Sequence, residues 1–340
     1  MDFLYEYGLF LAQALTIAGT IIFVAGSLLA MSMRQKNHGS DEIEITRLNE
    51  KFEAMKTALG SASSSKQELK KQRKETKKAK KKANKQSSPN RGRIFVINFE
   101  GDIKGTNVKN LREEVTAILT VATEKDQVIV NVESGGGMVH AYGLGASQLD
   151  RIRSKSIPLT VCVDKVAASG GYLMACVADK IVAAPFAIIG SIGVIAQIPN
   201  FNKVLKKHDV EFEQVTAGEY KRTLTMFGEN TDQGRQKMKE DLEETHELFK
   251  NFVSEHRPSL DIDKVATGEH WLATRAFELD LVDELKTSDD LLLEQSGEND
   301  ILEVKLKAKQ TLIQKLTESA ASLYYLVFSK KSQDTTQYFL

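Results

Sequence analysis

Gln127-Val128-Ile129-Val130-Asn131-Val132-Glu133-Ser134-Gly135-Gly136-Gly137-Met138-Val139 is a β-branched run that ends in a glycine triplet and opens into a helical pattern. A strand buried on both faces reads as a nearly continuous apolar run, and glycines at its end let the backbone bend sharply. The design recurs: residues 159–163 read as a second buried strand, followed by Val166-Ala167-Ala168-Ser169-Gly170-Gly171-Tyr172 and a short helix starting at Gly170. Residues 94–99, 180–184 and 210–216 carry further strand signals, and residues 108–123 and 142–154 carry helical ones. Strands alternating with helices predict an α/β domain whose parallel sheet is covered on both faces. Residues 232–256 predict a long polar helix with Met238, Leu242, Leu248, Phe249, Phe252 and Val253 as its apolar stripe, stopped by Pro258. Residues 273–285 predict a helix and a turn, and residues 301–316 a terminal helix.

Outside that domain the chain changes character. Residues 9–33 carry no charge. About 20 apolar residues in a helix cross the roughly 30 Å hydrocarbon layer, so residues 1–33 predict a membrane anchor. A cleaved signal peptide would open on basic residues and hold an apolar region of about 7–15 residues, whereas this chain opens with Asp2 and Glu6. A second apolar run, residues 181–199, contains Pro185, Gly190, Gly193 and Pro199 and reads as a buried strand with a tight loop. Ile45, Leu48, Phe52, Met55 and Leu59 recur at heptad spacing. They fit either a self-associating helical stalk or a helix lying on the membrane surface or on the α/β domain. Residues 66–85 hold eleven basic residues against Glu68 and Glu75. Such a run is a solvated linker, and anionic lipid headgroups would attract it by about 1 kcal/mol per basic residue. No aromatic residue interleaves these lysines, which argues against nucleic acid. The expected organisation is an anchor over 1–33, a helical stalk and Lys-rich linker over 34–92, the α/β domain over 93–290, and a C-terminal helix and tail over 291–340.

Total charge says little, since 46 basic residues balance 46 acidic ones across the 340 residues. Cys162 and Cys176 both lie in apolar stretches and read as core residues; no His/Cys/carboxylate cluster has metal-ligand spacing. The chemistry therefore rests on the turns. The glycine triplet exposes backbone N–H groups, and beside a nucleophile such a group stabilises the oxygen of a tetrahedral intermediate. A phosphate cradle would need a Walker or dinucleotide pattern, which the triplet lacks, and a plain tight turn is the remaining reading. Ser169 at a strand-to-helix turn is either an N-cap or a nucleophile. Its small neighbours leave the hydroxyl accessible and let the Gly170 N–H face the same point. The G-x-S-x-G elbow is only partly matched, with Ala167 in its first position.

A serine nucleophile needs a base. His140 and His208 are candidates without a marking context, His208 falling in the charged stretch Lys206-Lys207-His208-Asp209. Lys221, in Gly218-Glu219-Tyr220-Lys221-Arg222, is the amine alternative. A lysine with its ordinary pKa of ~10.4 cannot accept a proton at neutral pH; lowering it to about 8 by burial needs roughly 3 kcal/mol.

Ala167-Ala168-Ser169-Gly170-Gly171-Tyr172, Gly190-Ser191-Ile192-Gly193-Val194 and Gly218-Glu219-Tyr220-Lys221, in this order, resemble the signal-peptide-peptidase family of serine–lysine peptidases. The single repeat, the N-terminal anchor and the Lys-rich linker are similar to its single-repeat branch. The resemblance spans residues 94 to about 285. It implies a crotonase/Clp-protease-like fold and a peptidase in which Ser169 is the nucleophile and Lys221 the general base. Ser191 would position the lysine, and Gly170 with Gly136 or Gly137 would supply the oxyanion N–H groups. The family's usual Ser-Pro-Gly-Gly-Ser is altered here, with Gly135 for Pro and Met138 for the last Ser, which leaves the choice between Gly136 and Gly137 open. The resemblance also implies hydrophobic peptide substrates, such as remnant signal peptides, no cofactor or metal, and a homo-oligomeric ring whose subunits share each site. It implies a bacterial inner-membrane location.

Two rival functions fit parts of the chain. An acyl-CoA hydratase on the same fold would need paired carboxylates near the glycine turn, where only Glu133 lies. A non-enzymatic membrane scaffold would use the stalk and basic linker alone. Membrane side divides two arguments: the positive-inside rule places the large domain in the cytoplasm, and the resemblance places it on the outer side.

Overall fold

Strand β3 (Gln127–Glu133) lies in the middle of a seven-stranded sheet because its alternate side chains serve two different cores. Val128, Val130 and Val132 point into the larger apolar cluster with Leu111, Tyr142 and Leu149, whereas Ile129 joins a smaller one with Val96, Cys162 and Val182. That two-residue period is strand geometry, and burial of both faces is why the run looks apolar almost throughout. The computed structural model describes residues 7–20, 26, 42–63 and 91–307. Residues 43–306 form one compact unit.

The sheet order is β1 (Glu42–Arg47), β10 (Asp300–Lys307), β2 (Arg93–Glu100), β3, β4 (Leu159–Val163), β6 (Lys180–Ala183) and β9 (Glu284–Leu285). Every pairing from β10 across to β9 is parallel. On one face, helices α2 (Val108–Leu119) and α3 (Val139–Arg153) bury Leu111, Val115, Ala146 and Leu149 in the larger core. On the other, α1 (Leu48–Ser63) and the helix Ser288–Gln295 contribute Leu48, Leu291 and Leu292 to the smaller core. A second sheet of three strands carries the site: β5 (Val166–Ala168) runs parallel to β7 (Ile188–Gly190), which pairs antiparallel with β8 (His270–Leu272). Helix α4 (Gly170–Ala175) follows β5 after one residue. Helix α5 (Asn202–Lys207) interrupts a long irregular segment before α6 (Asp232–His256).

The α/β class with a parallel sheet matches the sequence pattern, and α6 has the limits expected of it. Its Thr231 hydroxyl accepts from the Gly234 N–H at 3.1 Å, which fixes the helix start. Three expectations fail. Residues 210–216 form no strand: Val210 and Phe212 alternate as a strand would, but Val215 breaks the alternation, and all three are exposed without a partner strand among the described residues. Residues 301–307 are not helical but lie in β10, since Glu303-Val304-Lys305-Leu306-Lys307 alternates polar and apolar at period two. Ile45 falls in β1, so the heptad seam starts only at Leu48. Leu48 and Phe52 pack on the α/β domain, and the Asn49 amide donates to the Ser296 and Asn299 carbonyls while its Oδ1 accepts from the Ile301 N–H at 2.7 Å.

The other unit is described over residues 7–20, which are helical. Among the described residues no helix is long and apolar enough to cross a membrane. Most of the expected anchor, the Lys-rich run at 66–85 and the tail from 308 lie outside the described residues.

Candidate active site

Ser169 and Ser191 leave two neighbouring strands side by side, because Ala168 of β5 pairs with Gly190 of β7. Adjacent strands are about 4.8 Å apart, so the two hydroxyls share one locality. Both serines have positive φ, Ser169 at φ 51° and ψ −120° and Ser191 at φ 53°. A non-glycine residue there costs on the order of 1–3 kcal/mol and persists only where its surroundings fix it. Here they do. The Ser169 N–H donates to the Gly190 carbonyl at 2.8 Å, the Ser169 carbonyl accepts from Leu173 at 2.9 Å, and the Ser191 N–H donates to Glu269 at 2.6 Å. The side chain of Ser169 makes no capping bond to α4, so its hydroxyl is not spent on the helix.

The glycine triplet closes on this serine from the β3 side. Gly136, at φ 87°, approaches so closely that a Cβ there would meet the Gly170 nitrogen at 2.7 Å and Ser169 Cβ at 2.8 Å. At Gly137 a Cβ would collide with the carbonyl of Ile103, which accepts from the Met138 N–H at 2.9 Å. The Gly136 N–H is committed to Ser134 Oγ at 3.1 Å. Among the described residues no acceptor takes the N–H of Gly137 or of Gly170. Both of these residues line one groove with Ser169.

That groove has a volume of about 360 Å³, and its walls include Val139, Ala146, Leu173, Leu248, Phe249 and Phe252. Leu248 belongs to the expected stripe of α6 yet is 64% exposed, because it faces the groove and not the core. Gly193 and Val194, just past Ser191, form the opposite rim. Among the described residues no histidine and no carboxylate lines the groove. It can take an apolar side chain beside a serine hydroxyl and two free amide donors, which is an acyl-transfer arrangement.

The other expected residues lie elsewhere. Lys221 is exposed on the irregular segment before α6, its backbone N–H donating to Gly218 at 3.2 Å, and it does not line the groove of its own chain. His140 and His208 are exposed and also outside the groove. Glu133 shares the face of β3 that carries Ile129, away from the groove, and its carboxylate accepts two bonds of 2.9 Å from Lys165. Burial pushes the Cys162 thiol up to about 12 and raises that of Cys176 as well, which leaves both as core residues and not nucleophiles. Among the described residues no group of three or more His, Cys, Asp or Glu is placed to hold a metal ion. The sequence reading passed over Ser134 and Tyr142, whose hydroxyls meet at 2.5 Å beneath the glycine turn. Ser134 stands next to the triplet, but nothing in its spacing from Tyr142 shows that both are buried.

Residues 2–149 match the N-terminal part of peptidase family S49, and residues 151–301 match the family's main part. The chain belongs to peptidase family S49. It is 50% identical to the probable protease SohB of Haemophilus influenzae over 98% of both chains. It is 51% identical to the probable protease SohB of Buchnera aphidicola subsp. Acyrthosiphon pisum over 94% of both. A solved ClpP1 variant from Listeria monocytogenes aligns at 14% identity and a TM-score of 0.38, covering 58% of this chain and 93% of that one. As an S49 member this chain is a serine peptidase of the SppA/SohB type.

Proposed function

We propose that this peptidase is a membrane-anchored serine–lysine endopeptidase that cleaves hydrophobic peptides, with each site completed by a second copy of the chain. The observation that carries the proposal is Ser169, held at positive φ on an apolar groove beside two uncommitted amide donors. Its Oγ attacks the scissile carbonyl, forming the O–C bond while its proton passes to the uncharged amine of Lys221. The carbonyl electrons move onto the oxygen, which the Gly137 and Gly170 N–H groups receive. Collapse breaks the C–N bond, and the lysine returns the proton to the leaving amine. Water then repeats the sequence on the acyl-enzyme and releases the acid. Ser191, which follows the strand paired with that of the nucleophile, is the residue proposed to orient the incoming amine.

Lys221 must be desolvated to act as a base. In its own chain it is exposed, and the segment that bears it displays apolar side chains to water: Val215 is 97% exposed, Ile195 79%, Val204 54% and Tyr220 49%. Surface of that kind calls for a partner, and a ring of copies would bury it while carrying the lysine to a neighbour's serine. The groove's apolar walls support a hydrophobic substrate. The uncharged residues 9–33 support a single-pass anchor in a bacterial inner membrane, and the basic run at 66–85 supports contact with anionic headgroups.

The test is hydrolysis of a fluorogenic apolar peptide, together with labelling by a fluorophosphonate probe. Ser169→Ala should lose labelling and hydrolysis, and Lys221→Ala should lose hydrolysis in an assembly of unchanged size. Full activity in either variant refutes the dyad. The same groove places no carboxylate pair near the serine, which disfavours the hydratase alternative.

A further inference from the structure

We infer that Tyr142 and Ser134 are positioning residues: a buried relay of hydroxyls that aims the glycine turn and its free amides at Ser169. The inference rests on the peptidase reading of Ser169. The Tyr142 hydroxyl donates to the carbonyl of Asp102 at 2.8 Å. That uses its only hydrogen, so in the 2.5 Å contact with Ser134 the serine is the donor. Ser134 Oγ then accepts from the Gly136 N–H at 3.1 Å. The chain of bonds therefore runs in one direction, from the turn through two hydroxyls to a backbone carbonyl on the loop after β2. Both hydroxyl residues are fully enclosed, Tyr142 at 0% exposure and Ser134 at 2%. Burial also raises the pKa of Tyr142, so the phenol keeps its proton.

Each end of the relay touches the acyl-transfer geometry. The bond to Ser134 occupies the Gly136 N–H, while the next residue, Gly137, lines the groove with no acceptor for its N–H among the described residues. The Ser134 backbone ties the same point to the nucleophile's strand: its N–H donates to Val166 at 2.8 Å and its carbonyl accepts from Ala168 at 3.0 Å. The ring of Tyr142 lies directly beneath Gly170, where a Cβ would meet the Tyr142 Cβ at 2.7 Å. One tyrosine thus supports both free donors, one by hydrogen bonding and the other by contact. Gly101 is part of the fit, since a Cβ there would crowd Ser134 Oγ at 2.5 Å and also the Tyr142 hydroxyl.

A positioning role predicts a loss that appears in the transition state and not in substrate binding. The experiment uses the full-length protein, the fluorogenic apolar peptide and a peptide boronate, whose tetrahedral adduct with a serine presents an oxygen to the oxyanion amides. Tyr142→Phe keeps the ring and its edge-on packing against Phe99 at 6.4 Å. It should lower kcat by about 10–100-fold, somewhat below the loss of a whole oxyanion donor, with KM within about twofold. Boronate affinity should weaken by the same factor as kcat/KM. Ser134→Ala should behave alike, and the double variant should be no worse than about threefold below the poorer single one, because both act through one chain of bonds. Should Tyr142→Phe fail to fold, Ser134→Ala decides alone. The inference is overturned if folded variants keep wild-type kcat and boronate affinity, or if KM alone rises. Ser169→Ala and Lys221→Ala run alongside: activity in either removes the peptidase reading beneath the inference, while inactivity there with unaltered Tyr142→Phe removes only the relay.

Discussion

The two halves of the proposed site are built very differently. From Ser134 to Gly193 the site's backbone is pinned: Ser169 and Ser191 are held at positive φ, their two strands are locked by parallel pairing, and Gly136 and Gly137 fit without room for a Cβ. The segment between Gly193 and α6, which carries Lys221, has only the short helix α5; Ile195, Val204 and Val215 face water, while Phe201 and Phe212 pack on Phe227. The first half needs nothing further to present a hydroxyl and two amides. The second leaves much apolar surface exposed in its own chain, which is the composition of an interface. Strain is affordable where the core over-determines the backbone, whereas a proton-accepting lysine has to be enclosed by something that arrives later.

The largest effect expected falls on the pinned half. Ser169→Ala should reduce peptide hydrolysis by about 10⁴-fold or more, as loss of a nucleophile does in unit-acting sites. A smaller loss would mean that the hydroxyl is not the attacking group. Next comes the exposed half. Replacing Ile195 and Val215, 79% and 97% exposed, together by Asp should leave the fold of one copy intact, lower the assembled mass and reduce activity by roughly tenfold, since an apolar contact of this size is worth about 1–3 kcal/mol. An unchanged sedimentation profile would show that this surface is not an interface.

The smallest effect sharpens the contrast from the side of stability. Arg257, 7% exposed, makes two bonds of 2.7 Å to Asp283, which in turn accepts from the Ile181 N–H at 2.7 Å and so fixes the start of β6. Arg257→Ala should cost about 2 kcal/mol in unfolding free energy without changing assembly. Burial pushes the Asp283 carboxyl up, but Arg257 and the Ile181 N–H outweigh it and hold the carboxyl below its ordinary value. Asp283 therefore contributes stability above the unfolded-state pKa of roughly 3.9, and that contribution fades as pH falls through the lowered native value. Thermal melts at falling pH should show wild type and Arg257→Ala converging at the acid end. Parallel curves would contradict the linkage.

Much of the pinned half was legible in the residues, because its physics is local. Val-rich runs ending in Gly135-Gly136-Gly137 and in Ala168-Ser169-Gly170 announce strand-to-helix turns, and every helix from Val108 to His256 that was expected is present. What the sequence concealed was set by distant partners. Residues 210–213 alternate like a strand, but the pattern breaks at Gln214-Val215 and no described strand pairs with them. Ile301 and Val304 read as part of a helix until β2 supplies a parallel neighbour. The Ser134–Tyr142 relay depends on enclosure by Gly101 and Gly170, which no spacing reports. Lys221 was readable only as a residue type in a resembling motif, since in its own chain it is exposed and lies outside the groove.

The most direct test of the central proposal mixes two inactive proteins, Ser169→Ala and Lys221→Ala, after dissociating and reassembling them together. If each site takes its serine from one copy and its lysine from the next, an equal random mixture should recover about a quarter of wild-type hydrolysis. Verified mixed assemblies that stay inactive would contradict it.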